Sequence, residues 1–222
     1  IGSLTSRALL ESVASESGAV LVLEPSLAGA VKIARRGGSM YTLEVTGRAA
    51  HAGLEPWNGV NALIELAHQV IALPGLGDAD LGSTVSPTVA QAGTATNVIP
   101  DHASARIDVR AWSLGELERI DRAVRSRGPV DDRTSIVVTG GINRPPMEER
   151  SSQDLLALAR EVSRSLGEPE VRAEAVGGAS DGNFTAALGI PTPDGLGPDG
   201  DGAHAEHEWA SLASIGQRAR LV

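Results

Sequence analysis

The side chains best suited to acid–base or metal chemistry in this sequence are its five histidines. His51 lies in a polar loop between a strand pattern and a helix pattern, where functional residues concentrate. His204 and His207 stand three residues apart around a glutamate, and imidazole with carboxylate is a donor set that suits zinc. The same spacing outside a helix is also typical of a surface loop. His68, on a helix flank, and His102, at a strand start, are interpreted as structural or surface residues.

A carboxylate and a serine are the other candidates. Glu24 ends the apolar run AVLVLE, and ligands in open α/β sheets bind beyond the carboxyl ends of strands. Glu24 is therefore either a ligand or a strand-end residue that faces water. Ser180 and Asp181 in GGASDGNF allow a Ser-His-Asp interpretation, but either residue at a helix start is more commonly a cap. The sequence has no GxSxG elbow, no Walker-type loop and no cysteine.

Composition excludes two classes of partner. The 222 residues are 41% hydrophobic and 21% charged, which is ordinary for one large or two small globular domains. Nineteen basic against 28 acidic residues give a net charge of −9, which argues against nucleic-acid binding. No apolar run approaches the roughly 18–20 residues of a membrane span, so no membrane partner is expected. Cytoplasm is the default location.

The elements before residue 38 predict part of an α/β domain. Helical spacing over residues 1–17 predicts a helix with Leu9, Leu10 and Val13 on one side, capped by Ser3 or Thr5. Residues 19–26 form a continuous apolar run that predicts a buried strand. The segment RRGG at 35–38 is interpreted as a linker.

Residues 38–141 have a different pattern. Alternating strands at 40–47, 83–91 and 102–111, two amphipathic helices and a last strand give the order β-α-β-β-α-β, which is the ferredoxin-like signature. The apolar residues of the first helix cluster on one face: Val60, Leu63, Ile64, Ala67, Ile71 and Leu73. From Arg144 a doubly wound pattern returns. The fold prediction is therefore α/β, with a domain at 38–141 inserted into one made of 1–37 and 142–222.

Six strings in one order carry a family resemblance: VLEPS, TGRAAHAGLEPWNGVNA, TNVIP, DVR, GGASDGNFTAALGIPT and GLGPDGDGAH. Together they resemble the zinc metallopeptidase family of glutamate carboxypeptidase, acetylornithine deacetylase, succinyl-diaminopimelate desuccinylase and aminoacylase. The resemblance covers nearly the whole chain. It implies a zinc-binding α/β catalytic domain interrupted by a ferredoxin-like lid that dimerises, and hence a homodimer.

By position, the resemblance assigns roles to metal and catalytic residues. Glu24 resembles the carboxylate ligand of one zinc ion and His204 the imidazole ligand of a second. Such a pair of ions lowers the pKa of a bridging water toward ~7. His51 resembles the lid histidine that stabilises the oxyanion in the partner's active site. His207 is not at a family ligand position and is left on the surface.

The same resemblance assigns substrate contacts. Asn97 resembles a lid residue that approaches the substrate, and Arg110 the arginine that binds the free carboxylate of the substrate. Gly178 and Ser180 would line the substrate pocket, while Asp181 would support the loop or cap the helix. The implied reaction is hydrolysis of the amide bond of an N-acyl amino acid or a small peptide.

The chain also departs from the family pattern. Relatives carry an earlier segment with a histidine ligand, a bridging aspartate and a Glu-Glu pair that precedes an Ile-Gly-Ser like residues 1–3. The catalytic domain is therefore expected to be incomplete, with an exposed sheet edge prone to aggregation, and the 222 residues inactive alone. The alternative function is a non-catalytic dimerisation or binding module derived from the family.

Overall fold

The computed structural model describes residues 3, 5–203 and 205–222, so the predicted zinc ligand His204 lies outside the described residues. Within the described part, helices and strands alternate in a mixed α/β order, joined by short 3₁₀ turns at 56–58, 73–76 and 149–151. In chain order the elements are α1 (Arg7–Ser15), β1 (Val31–Arg35), β2 (Gly37–Thr46), β3 (Ala50–His51), α2 (Ala62–Ala72), β4 (Thr84–Ala92), β5 (Val98–Ile99), β6 (His102–Ala111), α3 (Leu114–Arg125), β7 (Ser135–Arg144), α4 (Gln153–Ser165), β8 (Ala173–Val176), α5 (Gly182–Ala187), β9 (Gly200–Asp201), β10 (Trp209–Ala210) and α6 (Leu212–Leu221).

The chain divides into two compact units. One unit, here called the inserted unit, comprises Gly38–Asn143, and the other, the discontinuous unit, comprises Ile1–Gly37 with Arg144–Val222. The inserted unit is built on a four-stranded sheet in the order β4-β6-β2-β7. This is the 2-3-1-4 order of a ferredoxin-like βαββαβ domain, so the fold class predicted from the sequence is confirmed.

The inserted unit has a closed apolar core. Alternate residues of β2 and β6 point to one face of the sheet, where they meet α2 and α3. Fifteen buried residues form this cluster, among them Leu43, Ile107 and Leu117. Both helices are capped by side chains, since Asn61 accepts the N–H groups of Leu63 and Ile64, and Ser113 that of Glu116.

The apolar face predicted for α2 is only partly buried. Leu66 and Leu73 enter the core, but Leu63, Ile64 and Ile71 are 48%, 57% and 80% exposed. Two polar residues, Glu65 and Gln69, face inward instead. They form hydrogen bonds with backbone N–H and C=O groups of the loop before β7. The helix was predicted correctly, but its apolar stripe faces outward.

The discontinuous unit contains two small sheets. Strands β1 and β8 pair in parallel, and β9 pairs antiparallel with β10. A four-residue cluster from β1, α4 and the segments before β8 and β9 forms its core: Val31, Leu156, Val171 and Leu196. The linker prediction for residues 35–38 is wrong, because Arg35 ends β1 as a buried residue and Gly37 and Gly38 begin β2.

Two further predictions in this unit need correction. Residues 19–24 are extended and bond to the backbone of 191–197, but they form no regular strand, and Leu21 and Leu23 are 43% and 61% exposed. Helix α1 begins only at Arg7, and neither Ser3 nor Thr5 caps it, since the N-cap position is Ser6. Of its large apolar residues, Leu9 and Val13 are exposed and Leu10 is partly buried.

Among the described residues, no helix combines the length and the apolarity that crossing a bilayer requires.

Candidate functional site

A cleft of about 640 Å³ in the discontinuous unit brings several of the sequence candidates together. It is called the Glu24 cleft here. Glu24 lines it together with Ser180 and Asp181 from the loop before α5. Ser3 and Arg144 complete its polar lining. The cleft therefore combines an exposed carboxylate with hydroxyl, carboxylate and guanidinium groups.

Glu24 is held in the cleft by its backbone. Its carbonyl oxygen accepts the N–H of Gly197 at 2.9 Å, which fixes the end of the extended segment 19–24. A Cβ atom on residue 197 would lie 2.7 Å from that same oxygen, so only glycine permits the approach. Gly197, the second glycine of the string GLGP, therefore has a physical role in placing Glu24. The carboxylate of Glu24 itself is exposed and accessible to a ligand.

Ser180 is fixed by a buried carboxylate. Its hydroxyl donates a hydrogen bond to Asp194, which is fully buried, and its own N–H binds the side chain of Asn183 at 2.9 Å. The Ser180 oxygen also accepts the N–H of Gly182, the first residue of α5, whose N-cap position is Asp181. Asp181 makes no capping bond. The hydroxyl of Ser180 is therefore committed to positioning rather than to nucleophilic attack.

Asp194 in turn is paired with Arg35. The guanidinium donates to both carboxylate oxygens, at 2.7 and 2.9 Å, and both side chains are almost completely buried. The third Arg35 bond goes to the carbonyl oxygen of Gly178 at 2.8 Å. Gly178 is exposed next to the cleft residue Ala179. Strand β1 therefore anchors the whole loop 178–180 through one buried ion pair.

Asp181 supports the loop. Its carboxylate lies 3.2 Å from the guanidinium of Arg144 and accepts the hydroxyl of Ser3 at 2.5 Å. Arg144 also lies over the buried ring of Phe184, 4.7 Å from its centroid. This arrangement agrees with the supporting role predicted for Asp181.

The single lysine of the sequence lies close to these charges. Burial lowers the pKa of Lys32, as does the neighbouring Arg35, while Asp194 and Glu24 oppose the shift. The ammonium group of Lys32 therefore interacts electrostatically with both Asp194 and Glu24. The sequence does not indicate that Lys32 lies near these carboxylates; it shows only that lysine is rare in this chain.

The inserted unit brings a second pair of candidates together. Strands β3 and β5 pair antiparallel with His51 opposite Val98, and the N–H of Ala52 donates to the carbonyl oxygen of Asn97 at 2.8 Å. His51 and Asn97 are both exposed at this end of the strand pair. Two strings of the sequence thus meet in one strand pair through their backbones. An exposed imidazole there can donate a hydrogen bond to a carbonyl or oxyanion.

Arg110 is already bound to a carboxylate. Asp108, two residues before it on the same face of β6, accepts bonds from Nε and Nη2 of Arg110 at 2.8 and 2.7 Å. These hydrogen bonds raise the pKa of Arg110 despite its partial burial. Asp108 therefore fixes the guanidinium plane of Arg110 through Nε and Nη2.

The described residues do not assemble a complete metal site. Zinc takes three or four ligands from His, Cys, Asp or Glu. Outside residues 1, 2, 4 and 204, no three such side chains come together. Glu24 can supply one ligand, while Asp181 is engaged with Arg144. No catalytic step through zinc is therefore derived from these residues. The remaining histidines with described positions, His68, His102 and His207, are exposed.

Sequence reasoning missed the residues that organise the cleft. Arg35 lay in the supposed linker and Asp194 in a loop rich in glycine and proline, and neither stands in a motif with its partner. The two are 159 positions apart, so only the fold brings them together. The signal that identifies this pair is in the structure. Both side chains are buried, and charged residues are almost never fully buried unless they are paired.

Comparison with known proteins places these features in a family. Residues 33–127 match the peptidase dimerisation domain of M20 proteins. Carboxypeptidase G2 of Pseudomonas sp. (strain RS-16) is 30% identical over 100% of this chain and 56% of its own length. Indole-3-acetyl-aspartic acid hydrolase of Enterobacter agglomerans is 43% identical over 37% of this chain and 18% of its own.

A solved structure shows the same fold. Aminopeptidase PepT from Bacillus cereus ATCC 10987 superposes with a TM-score of 0.81, at 20% identity, over 100% of this chain and 60% of that one. The chain spans about half the length of the curated relatives that match most of it. The family model and the relative that matches both units agree: residues 33–127 belong to the M20 peptidase dimerisation-domain family, and the whole chain is similar to a carboxypeptidase.

Proposed function

We propose that the full-length protein hydrolyses the amide bond of N-acyl amino acids or small peptides and depends on zinc. The observation that carries the proposal is the match to carboxypeptidase G2 over both units of the chain. The name of a second relative gives indole-3-acetyl-aspartic acid as the compound it hydrolyses, which is an N-acyl amino acid with two free carboxylates. The proposed substrates therefore carry a free carboxylate next to the scissile amide.

The residues of this chain would have separate roles. Zinc, when bound, would supply an activated water, and Glu24 would be a ligand of one zinc ion and His204 of a second. His51 would donate a hydrogen bond to the oxyanion, and Asn97 would approach the substrate. Arg110 would bind the substrate carboxylate. Gly178 and Ser180 would form the wall of the pocket, held by Arg35 and Asp194.

The test is amine release by the full-length protein. N-acyl amino acids, including N-acyl aspartate and glutamate, and dipeptides are incubated with the zinc-loaded protein, and the free amine is quantified. We expect release with carboxylate-bearing substrates and none after chelation. The proposal is wrong if no amine appears from any of these compounds with zinc present.

Paired variants test the role of Glu24. Glu24→Gln should lower both the zinc content, measured by mass spectrometry of the eluted metal, and the rate. Glu161→Gln changes an exposed carboxylate on α4 and should change neither. Equal zinc content in the two variants would remove Glu24 from the ligand set. Assaying the 222 residues beside the full-length protein tests the prediction that they are inactive alone.

The inserted unit carries a surface suited to a second copy. Leu63, Ile64 and Ile71 form an exposed apolar stripe on α2, and β4 is an edge strand of the sheet. An apolar stripe on an otherwise amphipathic helix is normally covered. With the match to a dimerisation domain, this stripe supports the proposed homodimer.

Light scattering on the purified protein tests the dimer. The double variant Ile64→Asp, Ile71→Asp should give a monomer, whereas Leu212→Asp, at an 83% exposed position of α6, should not. A dimer that persists in the α2 variant would place the interface elsewhere. A dimer without hydrolytic activity in the full-length protein would favour the alternative function, a binding module.

A further inference from the structure

The imidazole ring of His51 is bound on one side by its own loop. Nδ1 accepts the backbone N–H of Gly53 at 3.1 Å and that of Leu54 at 3.2 Å. The N–H of Glu55 donates to the carbonyl oxygen of His51 at 3.1 Å, which closes the turn. Two donors thus converge on one ring nitrogen.

This geometry decides which nitrogen carries the proton. A neutral imidazole has one N–H donor and one acceptor nitrogen. If Nδ1 carried the proton, three N–H groups would face one another without an acceptor. A flipped ring would place a C–H group against the two amides, so that Gly53 would lose this acceptor and Leu54 would keep only its 3.3 Å bond to the carbonyl oxygen of His51. Only the form with the proton on Nε2 lets the ring nitrogen Nδ1 accept both amides.

We propose that the amides of Gly53 and Leu54 hold neutral His51 as the Nε2–H tautomer, so that the ring presents a hydrogen-bond donor away from its loop. Gly53 and Leu54 are then positioning residues that act through His51. This inference rests on the proposed function for its purpose, which is donation to an oxyanion. The tautomer itself is a property of the chain that requires no substrate.

Nitrogen NMR on the ¹⁵N-labelled chain measures the tautomer directly. In the neutral ring, the nitrogens of His51 should show one protonated Nε2 and one unprotonated Nδ1. A scalar coupling between Nδ1 and the amide nitrogen of Gly53 should be detectable across the hydrogen bond. His68 and His102 are exposed and serve as comparison signals in the same spectrum.

A matched pair of variants isolates the amide. Gly53→Pro removes the N–H, whereas Gly53→Ala keeps it and places a methyl group 3.6 Å from the ring, an ordinary contact. We expect the coupling and the fixed tautomer to weaken in the proline variant and to persist in the alanine variant. In the full-length protein, the proline variant should lower kcat more than it changes KM.

The inference is overturned if the wild-type ring carries its proton on Nδ1, or if its two nitrogens average between the neutral tautomers. That measurement needs no variant, so a proline variant that fails to fold leaves the test intact. A fixed tautomer in a full-length protein that releases no amine would defeat the proposed function and leave this inference standing.

Discussion

The two units of this chain are stabilised in different ways. The inserted unit buries fifteen core residues between one sheet and two helices. In the discontinuous unit the apolar cluster has four buried residues, while Leu9, Val13 and Leu23 are more than half exposed. This unit also contains an almost completely buried ion pair, Arg35 with Asp194.

This difference separates a scaffold from a site. An apolar core is non-directional and tolerates substitution of similar volume, so it gives stability without fixing one loop. A buried ion pair adds little net stability but requires one geometry, and here that geometry places the loop 178–180. We infer that polar contacts determine the shape of the Glu24 cleft more than apolar packing does.

Breaking the ion pair should have the largest effect. Asp194→Asn leaves the guanidinium of Arg35 buried without a counter-charge, which typically costs about 3–5 kcal/mol. Denaturant unfolding followed by hydrogen exchange should show the loss in the discontinuous unit, with the amides of β6 still protected. Arg150→Ala, which removes an exposed pair with Glu148, should change stability by only about 0–1 kcal/mol. Similar losses in the two variants would refute the assigned role.

Truncating one leucine in each unit tests the comparison of cores. Leu43→Ala removes a fully buried side chain and should cost about 2–5 kcal/mol. Leu23→Ala, at a 61% exposed position, should stay within about 0.5 kcal/mol. Unfolding free energies measured under the same conditions decide the point. An equal loss at Leu23 would mean that the apolar surface of the discontinuous unit is covered in solution.

Much of the inserted unit could be predicted from sequence, because its pattern is local. The alternation in β6 and the helical spacing of α3 each follow from neighbouring residues, and the order of elements then limits the topology. The apolar face of α2 was misjudged for a related reason. Periodicity shows that a helix has two faces but not which face meets the core, and here Glu65 and Gln69 occupy the inward one.

The site could be predicted only where single strings carry it. Glu24 and Ser180 each stand in a recognisable string, and the structure places both in one cleft. Arg35 and Asp194 could not be found this way, since each looks like a loop residue until the fold pairs them. The extended segment 19–24 shows the same limit. Its apolar run predicted a buried strand, but strand assignment and burial depend on neighbours that the run does not specify.

A pH experiment tests how much a buried carboxylate, Glu65, adds to the stability that the apolar core gives the inserted unit. Burial opposes the charge on Glu65, but bonds from the Asp131 amide, Gln69 and the Val130 amide outweigh it and lower its pKa below 4.5. Since the folded pKa is the lower one, this stabilisation is present above about pH 4.5 and is lost as the pH falls through the folded value. Glu65→Gln should cost about 1–3 kcal/mol at neutral pH.

Urea unfolding at several pH values checks the direction of this effect. The gap between wild type and Glu65→Gln should narrow as the pH falls below 4.5, because the wild-type carboxylate then takes up a proton. Glu118→Gln, at an exposed position of α3, is the control and should show a constant small gap. A gap that widens in acid would show that Glu65 stabilises the unit in its protonated form.

The smallest expected effect compares the first helix of each unit. In the inserted unit, Asn61 accepts two N–H groups at the start of α2, so Asn61→Ala should cost about 1 kcal/mol. In the discontinuous unit, Ser6 occupies the N-cap of α1 without a side-chain bond, so Ser6→Ala should change the unfolding free energy by only a few tenths. Equal losses would mean that Ser6 caps α1 in solution, and α1 would then be as well defined at its start as α2.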